Sequence, residues 1–430
     1  MNKSEPDIVT EAPFAALVGI DWADKKHDVC LYEVDTGTQT SCVIEHTPEA
    51  LMDWIAKLQT AYCGRRIAIS LEQFRGGLIS ALLSYEFITL YPVNPATLAK
   101  YREAFAPSRA KDDPSDAKLL MELLLKHRDK LKAWQPDDEK TRTLSLLNEE
   151  RRKTVDERTR LVQRLRAVLK GYFPQAIDLL ADNVKSTTAC DFIQKWPTLD
   201  AAKRARPKTI RAFYYAHNYR RGDLIEANIE AIRSAVPLMQ DRAVLNTSVL
   251  TATLLAKQIR VANAAIDQYD QQILALYEEH PDAFIFESLP GSGKSLGPRL
   301  LAAMGTNRDR YKSAVDIQTY SGIAPVTERS GKYQWIHWRW GCPTFMRQSF
   351  HEFATFSRRS SLWAKAFYDL QRERGKSHHA AIRSLAFKWQ RVIFRCWKDR
   401  QAYSEEHYIQ SLRDNGSPLW PRIQALQEAC

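Results

Sequence analysis

Apolar and polar positions along the chain fall into three stretches with different periods. Between residues 15 and 135, short apolar runs alternate with amphipathic ones. Residues 16–20 (Ala-Leu-Val-Gly-Ile) form an apolar run of strand length, and residues 28–34 read as its hairpin partner. A third strand is expected at 41–44. Pro48 then opens a helix with Leu51, Trp54, Ile55 and Leu58 on one face. Residues 66–71 read as the next strand, followed by a helix and a last strand at 88–93. A three-stranded meander, then strands separated by helices, predicts a mixed α/β sheet.

From about residue 137 to 173 the period lengthens. Leu144, Leu147, Val155, Leu161, Leu165 and Val168 recur in a run crowded with Arg, Lys and Glu. That spacing predicts a long amphipathic helix packed on a partner helix, and a second long helix is expected over 250–280. Residues 174–245 are helical in tone but match no motif. From 282 onward a third unit is expected, mainly helical and rich in Arg, Lys and Trp. The expected division is a flexible tail at 1–14, an α/β domain at 15–135, a helical coiled-coil linker with an insertion at 136–281, and a C-terminal domain at 282–425.

Composition narrows the partners. The formal charge of +11 and the isoelectric point near 9.2 favour a polyanion, since each neutralised phosphate releases condensed counterions. Nucleic acid fits better than an anionic membrane: no apolar run approaches the roughly 20 residues that span a bilayer. The N-terminus lacks the basic start and apolar stretch of a secretion signal, so a cytoplasmic location is expected. Seven scattered cysteines, none spaced C-x-x-C, argue against a disulfide framework or zinc site and for reduced thiols.

Four acids stand at element boundaries. Asp21 directly follows the first strand and Glu72 ends the strand at 66–71. Asp113 and Asp116, in Lys-Asp-Asp-Pro-Ser-Asp-Ala, lie at the mouth of a helix, where three-residue spacing puts them on one face of the first turn. If the two strands are neighbours, Asp21 and Glu72 share a sheet edge. Such an oxygen-only set suits Mg²⁺, or Mn²⁺, which shares carboxylates with substrate phosphates. Two such ions would stabilise the attacking and leaving oxygens of a phosphoryl transfer. Asp113 before Pro114 also reads as a helix cap with Asp116 as its box partner, a role compatible with metal binding. Taken singly, Asp21 and Glu72 are ordinary strand-end residues.

Two further motifs lie in the C-terminal third. Residues 289–295 (Leu-Pro-Gly-Ser-Gly-Lys-Ser) imitate a phosphate-binding nucleotide loop, but Ser288 stands where that motif needs glycine. A helix-hairpin-helix element fits better, with Lys294 and exposed backbone N–H groups near a nucleic-acid phosphate; a plain helix–helix turn fits equally. Further on, Gly322-Ile-Ala-Pro325 precedes Glu328-Arg329-Ser330-Gly331-Lys332. Ser330 reads either as an exposed turn serine or as a nucleophile whose neighbours Arg329 and Lys332 stabilise developing phosphorane charge. Ser321, before Gly322, reads as helix termination. Arg339, Arg347, Arg358 and Arg359 lead a basic, aromatic-rich stretch suited to phosphate pairing and base stacking. Trp363, Phe367, Leu370, Leu385, Phe387 and Trp389 are expected to pack in its core.

The order Asp21, Glu72, Asp113, Asp116 resembles the DEDD set of RuvC-like (RNase H-fold) domains. The wording around Gly19-Ile-Asp-Trp22 and residues 111–117 is similar to the DEDD transposases of the "IS one-ten" insertion-sequence family, which includes Piv-like DNA invertases. The P-G-x-G element and the G-x-x-P segment followed by Ser-Gly and a basic residue resemble that family's C-terminal domain. The resemblance implies a transposase or site-specific recombinase acting on donor and target DNA. It makes Ser330 the catalytic nucleophile and the four acids its Mg²⁺ ligands. It also implies guidance by a non-coding bridge RNA, and a homo-oligomer (dimer or tetramer) in which the acids of one protomer serve the serine of another. Two other readings stay open: a metal-dependent, structure-selective nuclease in which the acids activate water, and a non-catalytic nucleic-acid-binding protein.

Overall fold

The computed structural model describes residues 14–72, 76–105 and 113–428. Residues 1–13, nearly all of the expected tail, lie outside them, whereas Phe14 is buried with its ring edge-on to Tyr91. The chain divides into two compact units, residues 1–136 and 137–430.

The first unit is a mixed α/β layer structure. Its elements are β1 (Ala16–Trp22), β2 (Lys26–Glu33), β3 (Gln39–Glu45), α1 (Pro48–Ala61), β4 (Ile67–Leu71), α2 (Gly77–Leu82), β5 (Ile88–Pro92), α3 (Pro95–Phe105) and α4 (Asp113–His127). The sheet order is β3-β2-β1-β4-β5. β1 pairs antiparallel with β2 and parallel with β4, and β4 pairs parallel with β5. All five residues of β4 are buried, which explains why it reads as a continuous apolar run rather than an alternating one. α1 begins where the Thr47 side chain accepts from the Ala50 N–H with Pro48 next in line, a cap followed by a residue already set for helix.

Alternation along β1 sends Val18 and Ile20 into a core with Trp54, Ile55, Leu78 and Ile79, while Leu17 joins Ala68, Tyr91, Ala117, Met121 and Leu124 on the opposite face. That second face is covered by α4. Gly19 lies against it so closely that a Cβ there would sit 2.0 Å from the Ala117 carbonyl oxygen and 2.5 Å from the Met121 nitrogen. Only a residue without a side chain lets α4 approach to this depth.

The second unit is built on two long helices, α5 (Glu139–Tyr172) and α11 (Arg242–Glu278). Ion pairs Lys140–Glu279 and Arg151–Asp270, and the hydrogen bond from Arg158 to Asn263, show that they run antiparallel. Between them, α6 (Gln175–Leu179), α7 (Thr187–Lys195), α8 (Leu199–Arg204), α9 (Pro207–Ala216) and α10 (Gly222–Ser234) close a separate core around Phe173, Phe192, Trp196 and Tyr214.

The remaining elements are α12 (Ala283–Glu287), α13 (Gly293–Met304), α14 (Ala314–Tyr320), β6 (Val326–Ser330), β7 (Tyr333–His337), α15 (Thr344–Ser357), α16 (Leu362–Glu373), α17 (His378–Asp399), α18 (Glu405–Asp414) and α19 (Trp420–Glu428). Trp363, Trp389 and Trp397 are fully buried, and each indole N–H finds an acceptor: Tyr403 Oη, Ser357 Oγ and the Gly305 carbonyl. Leu385 is buried with them, whereas Phe387, expected in the core, is 36% exposed. The antiparallel ribbon β6–β7 is a departure from the helical reading of this region. Among the described residues, six cysteines are free thiols and no helix is long and apolar enough to cross a membrane.

Candidate active site

The parallel register of β1 and β4 decides where the first two acids stand. Ile20 is opposite Leu71, so Asp21 and Glu72 each follow the last paired rung, side by side at the carboxyl edge of the two central strands. Both continue the side-chain alternation of Leu17 and Ala68, which faces α4. α4 runs antiparallel to β1: Ala117 lies against Gly19, and Leu124 packs with Phe14 and Leu17. Its first turn, Asp113 to Asp116, therefore sits at the edge that carries Asp21 and Glu72. Helix backbone N–H groups and their dipole add a positive end to the same place, favourable for phosphate.

The third and fourth acids differ in what is seen of them. Asp113 is the first residue of α4, and its side chain lies outside the described ones. Asp116 is 2% exposed and accepts from Arg102 on α3, with Nε and Nη2 at 2.8 and 2.5 Å from Oδ1. The sequence reading missed this arginine. Among the described residues no group of three or more His, Cys, Asp or Glu side chains is placed to hold a metal ion. An oxygen-only donor set suits a hard divalent ion that takes one or two carboxylates, keeps several waters and completes its shell with substrate phosphate oxygens.

Arg102 provides a direct test of this edge. Arg102→Gln leaves a buried carboxylate without its cation, a loss of about 3–5 kcal/mol for such pairs. Urea unfolding followed by circular dichroism should show a destabilisation of that order, and a change under about 1 kcal/mol would mean the pair is immaterial.

Ser330 ends β6, opposite Tyr333 across the two-residue loop Gly331-Lys332. Gly331 has φ +57°, the backbone for which such loops select glycine at their first position. Ser330, Arg329 and Lys332 are all exposed. The ribbon is braced two rungs further in by Glu328, which accepts from the Trp335 indole at 2.8 Å and pairs with His337 Nε2 at 2.7 Å. Those bonds hold the Glu328 carboxyl below its usual range, while the Trp338 carbonyl and Glu328 push His337 up. Ser330, Glu328, Tyr333, Trp335 and His337 share one face, since directly opposed residues point the same way. Ser321 is fully buried, and Gln390 donates to its hydroxyl at 2.7 Å. It ends α14 and is closed to a phosphate.

The basic residues are distributed around this ribbon and on the helices beyond it. The guanidinium of Arg383, which sequence reasoning had only within a general basic run, lies on the Trp338 ring, with that of Arg347 5.9 Å from its centroid. Burial, then Arg347, pushes Arg383 down to about 10. Arg339 is half-buried, Arg358 sits 4.1 Å over Tyr368 and Arg359 lies 5.6 Å over Phe356. Lys294 is exposed in the first turn of α13, after a turn in which Gly291 has φ +79°.

Comparison with known proteins gives matches in two stretches of the chain. Residues 18–174 match a DEDD transposase profile of the IS110 type, and residues 283–369 match the profile described as "Transposase IS116/IS110/IS902 family". The protein assigned as the mini-circle transposase of IS117 from Streptomyces coelicolor is 27% identical over 92% of this chain and 97% of its own length. The 42 kDa protein of insertion element IS900 from Mycobacterium paratuberculosis is 25% identical over 90% and 96%. The 44.8 kDa protein of IS116 from Streptomyces clavuligerus is 24% identical over 79% and 84%. With an α/β unit that gathers acids at one strand edge and a helical unit that presents a serine on an exposed ribbon, the chain belongs to the IS110 family of insertion-sequence transposases.

Proposed function

We propose that the protein cuts and rejoins DNA by attack of Ser330 on a phosphodiester, assisted by divalent ions held at Asp21, Glu72, Asp113 and Asp116. The observation that carries this reading is the side-by-side placement of Asp21 and Glu72 at the carboxyl edge of β1 and β4, with the first turn of α4 at the same edge. The strand order β3-β2-β1-β4-β5 supports an RNase H-type, RuvC-like domain. The two separate cores in residues 137–430 support a helical linker with an insertion and a distinct C-terminal domain. The short turn between α12 and α13 supports a helix-hairpin-helix contact through Lys294.

In the reaction, Ser330 Oγ forms an ester bond to phosphorus as the bond to the leaving sugar oxygen breaks. The serine proton passes to a base and the leaving oxygen gains one. A bound Mg²⁺ or Mn²⁺ supplies neutralisation of charge on the phosphate and the departing oxygen. Arg329 and Lys332 stand within three residues of the nucleophile and stabilise the same charge from the ribbon side. Arg339, Arg347, Arg358 and Arg359 hold the DNA backbone. Reversal of the step on an exchanged strand reseals the DNA, so no nucleotide triphosphate is consumed. Target choice through a bridge RNA, and a homo-oligomer in which protomers share acids and serine, complete the proposal.

The test uses the full chain with DNA bearing its element ends and the matching RNA. Mg²⁺ or Mn²⁺ should yield a denaturant-stable protein–DNA adduct, and EDTA should abolish it. Cleavage that gives free ends and no adduct would favour the structure-selective nuclease. Binding with no cleavage in either metal would favour a non-catalytic role.

A further inference from the structure

The acidic edge holds a carboxylate that the four-acid set leaves unused. Asp28, on β2, stands directly opposite Asp21 in the β1–β2 ladder. Opposed residues of an antiparallel pair project to the same face, with Cβ atoms about 4.5–5.5 Å apart. That is the face of Glu72 and α4, as Cys30, two residues along β2, packs with Ala117 and Met121. Asp28 is only 7% exposed. A second buried polar atom faces the same layer. Ser70, two residues in from Glu72 and opposite Gly19, is fully buried with an unpartnered Oγ.

Like charges directly opposed on a ladder are destabilising, and burial of a carboxylate adds to the cost. A β-strand position next to an acid that itself sits on a sheet edge is thus a poor place for a second acid unless positive charge arrives there. We infer that Asp28 is a positioning residue for the divalent ion: its charge beside Asp21 deepens the negative field at the end of β1 and holds the ion through Asp21 and ordered water. This rests on the ion-binding role proposed for Asp21 and Glu72. It assigns Asp28 no contact with the reacting phosphate.

Mn²⁺ alone, without DNA, is the probe, titrated calorimetrically into the full chain. Asp28→Asn is expected to weaken Mn²⁺ binding about 10–100-fold, the usual effect of removing an outer partner of a metal ligand. Without metal, the same variant should melt at or above the wild-type temperature, because the opposed charge is gone. Asp28→Glu should keep affinity close to wild type. Wild-type Mn²⁺ affinity in Asp28→Asn overturns the inference, as does a variant that melts well below wild type without metal, which would make Asp28 a structural residue. Asp21→Asn separates the two readings. If Asp21→Asn loses Mn²⁺ while Asp28→Asn does not, only the role of Asp28 fails. If both bind as wild type does, the ion site itself fails.

Discussion

Alanine at position 330 is expected to abolish the covalent protein–DNA adduct and to lower strand transfer about a thousandfold or more, the scale of loss when a nucleophile is removed. Stability should stay within about 0.5 kcal/mol, because Ser330 is exposed at a ribbon end and packs in no core. That pairing of a large catalytic loss with a silent thermal melt is what separates a nucleophile from a turn residue. A structural serine would give the reverse, a change in the ribbon with adduct formation intact. Ser321→Ala makes the contrast sharper, since its hydroxyl lies in the core and receives the Gln390 amide. That variant should lose stability and keep the adduct. An adduct that persists in Ser330→Ala would move the nucleophile elsewhere and remove the reason for placing Arg329 and Lys332 at the reacting phosphate.

What the sequence made legible were features with a short period or a local cap. β1 and β4 stand out as apolar runs because both faces of each are buried, and the strand-Asp, strand-Glu, helix-Asp-x-x-Asp order follows directly. The long helices α5 and α11 were legible from their apolar stripe. The ribbon β6–β7 was not read, although part of its signal is present: the loop Gly331-Lys332 leads into an arm that alternates through Tyr333, Trp335 and His337. Its basic, Trp-rich wording drew attention to nucleic acid and away from period. The five short helices between α5 and α11 carry readable caps at Ser186 and Thr198, but their shared core has no repeat that a linear pattern exposes. Arg102 and Asp28 were invisible for a different reason. Each gains meaning only from register: Arg102 through the packing of α3 beside α4, and Asp28 through the rung it shares with Asp21.

Gly19→Ala is expected to damage both stability and chemistry, because the contact that it blocks is the one that sets the depth of α4. The new methyl carbon would lie 2.0 Å from the Ala117 carbonyl and 2.5 Å from the Met121 nitrogen, and both are helix backbone that no rotamer change can clear. α4 must therefore shift outward as a body. Forced overpacking of this kind costs about 1–3 kcal/mol, and a backbone clash belongs at the upper end. The shift carries the first turn of α4, with Asp113 and Asp116, away from Asp21 and Glu72. A displacement of about 1 Å at a reacting centre costs about a hundredfold in rate, so the cleavage rate should fall on that scale even under conditions where the variant stays folded. Gly171→Ala is the matching control: it lies in α5 with nothing within 4 Å of the added carbon, and should stabilise the helix by about 0.5–1 kcal/mol. Denaturant unfolding and single-turnover cleavage, measured on both variants, decide the point. If Gly19→Ala cleaves at the wild-type rate, the position of α4 against β1 does not govern the chemistry, and the acids at its mouth are caps rather than ligands.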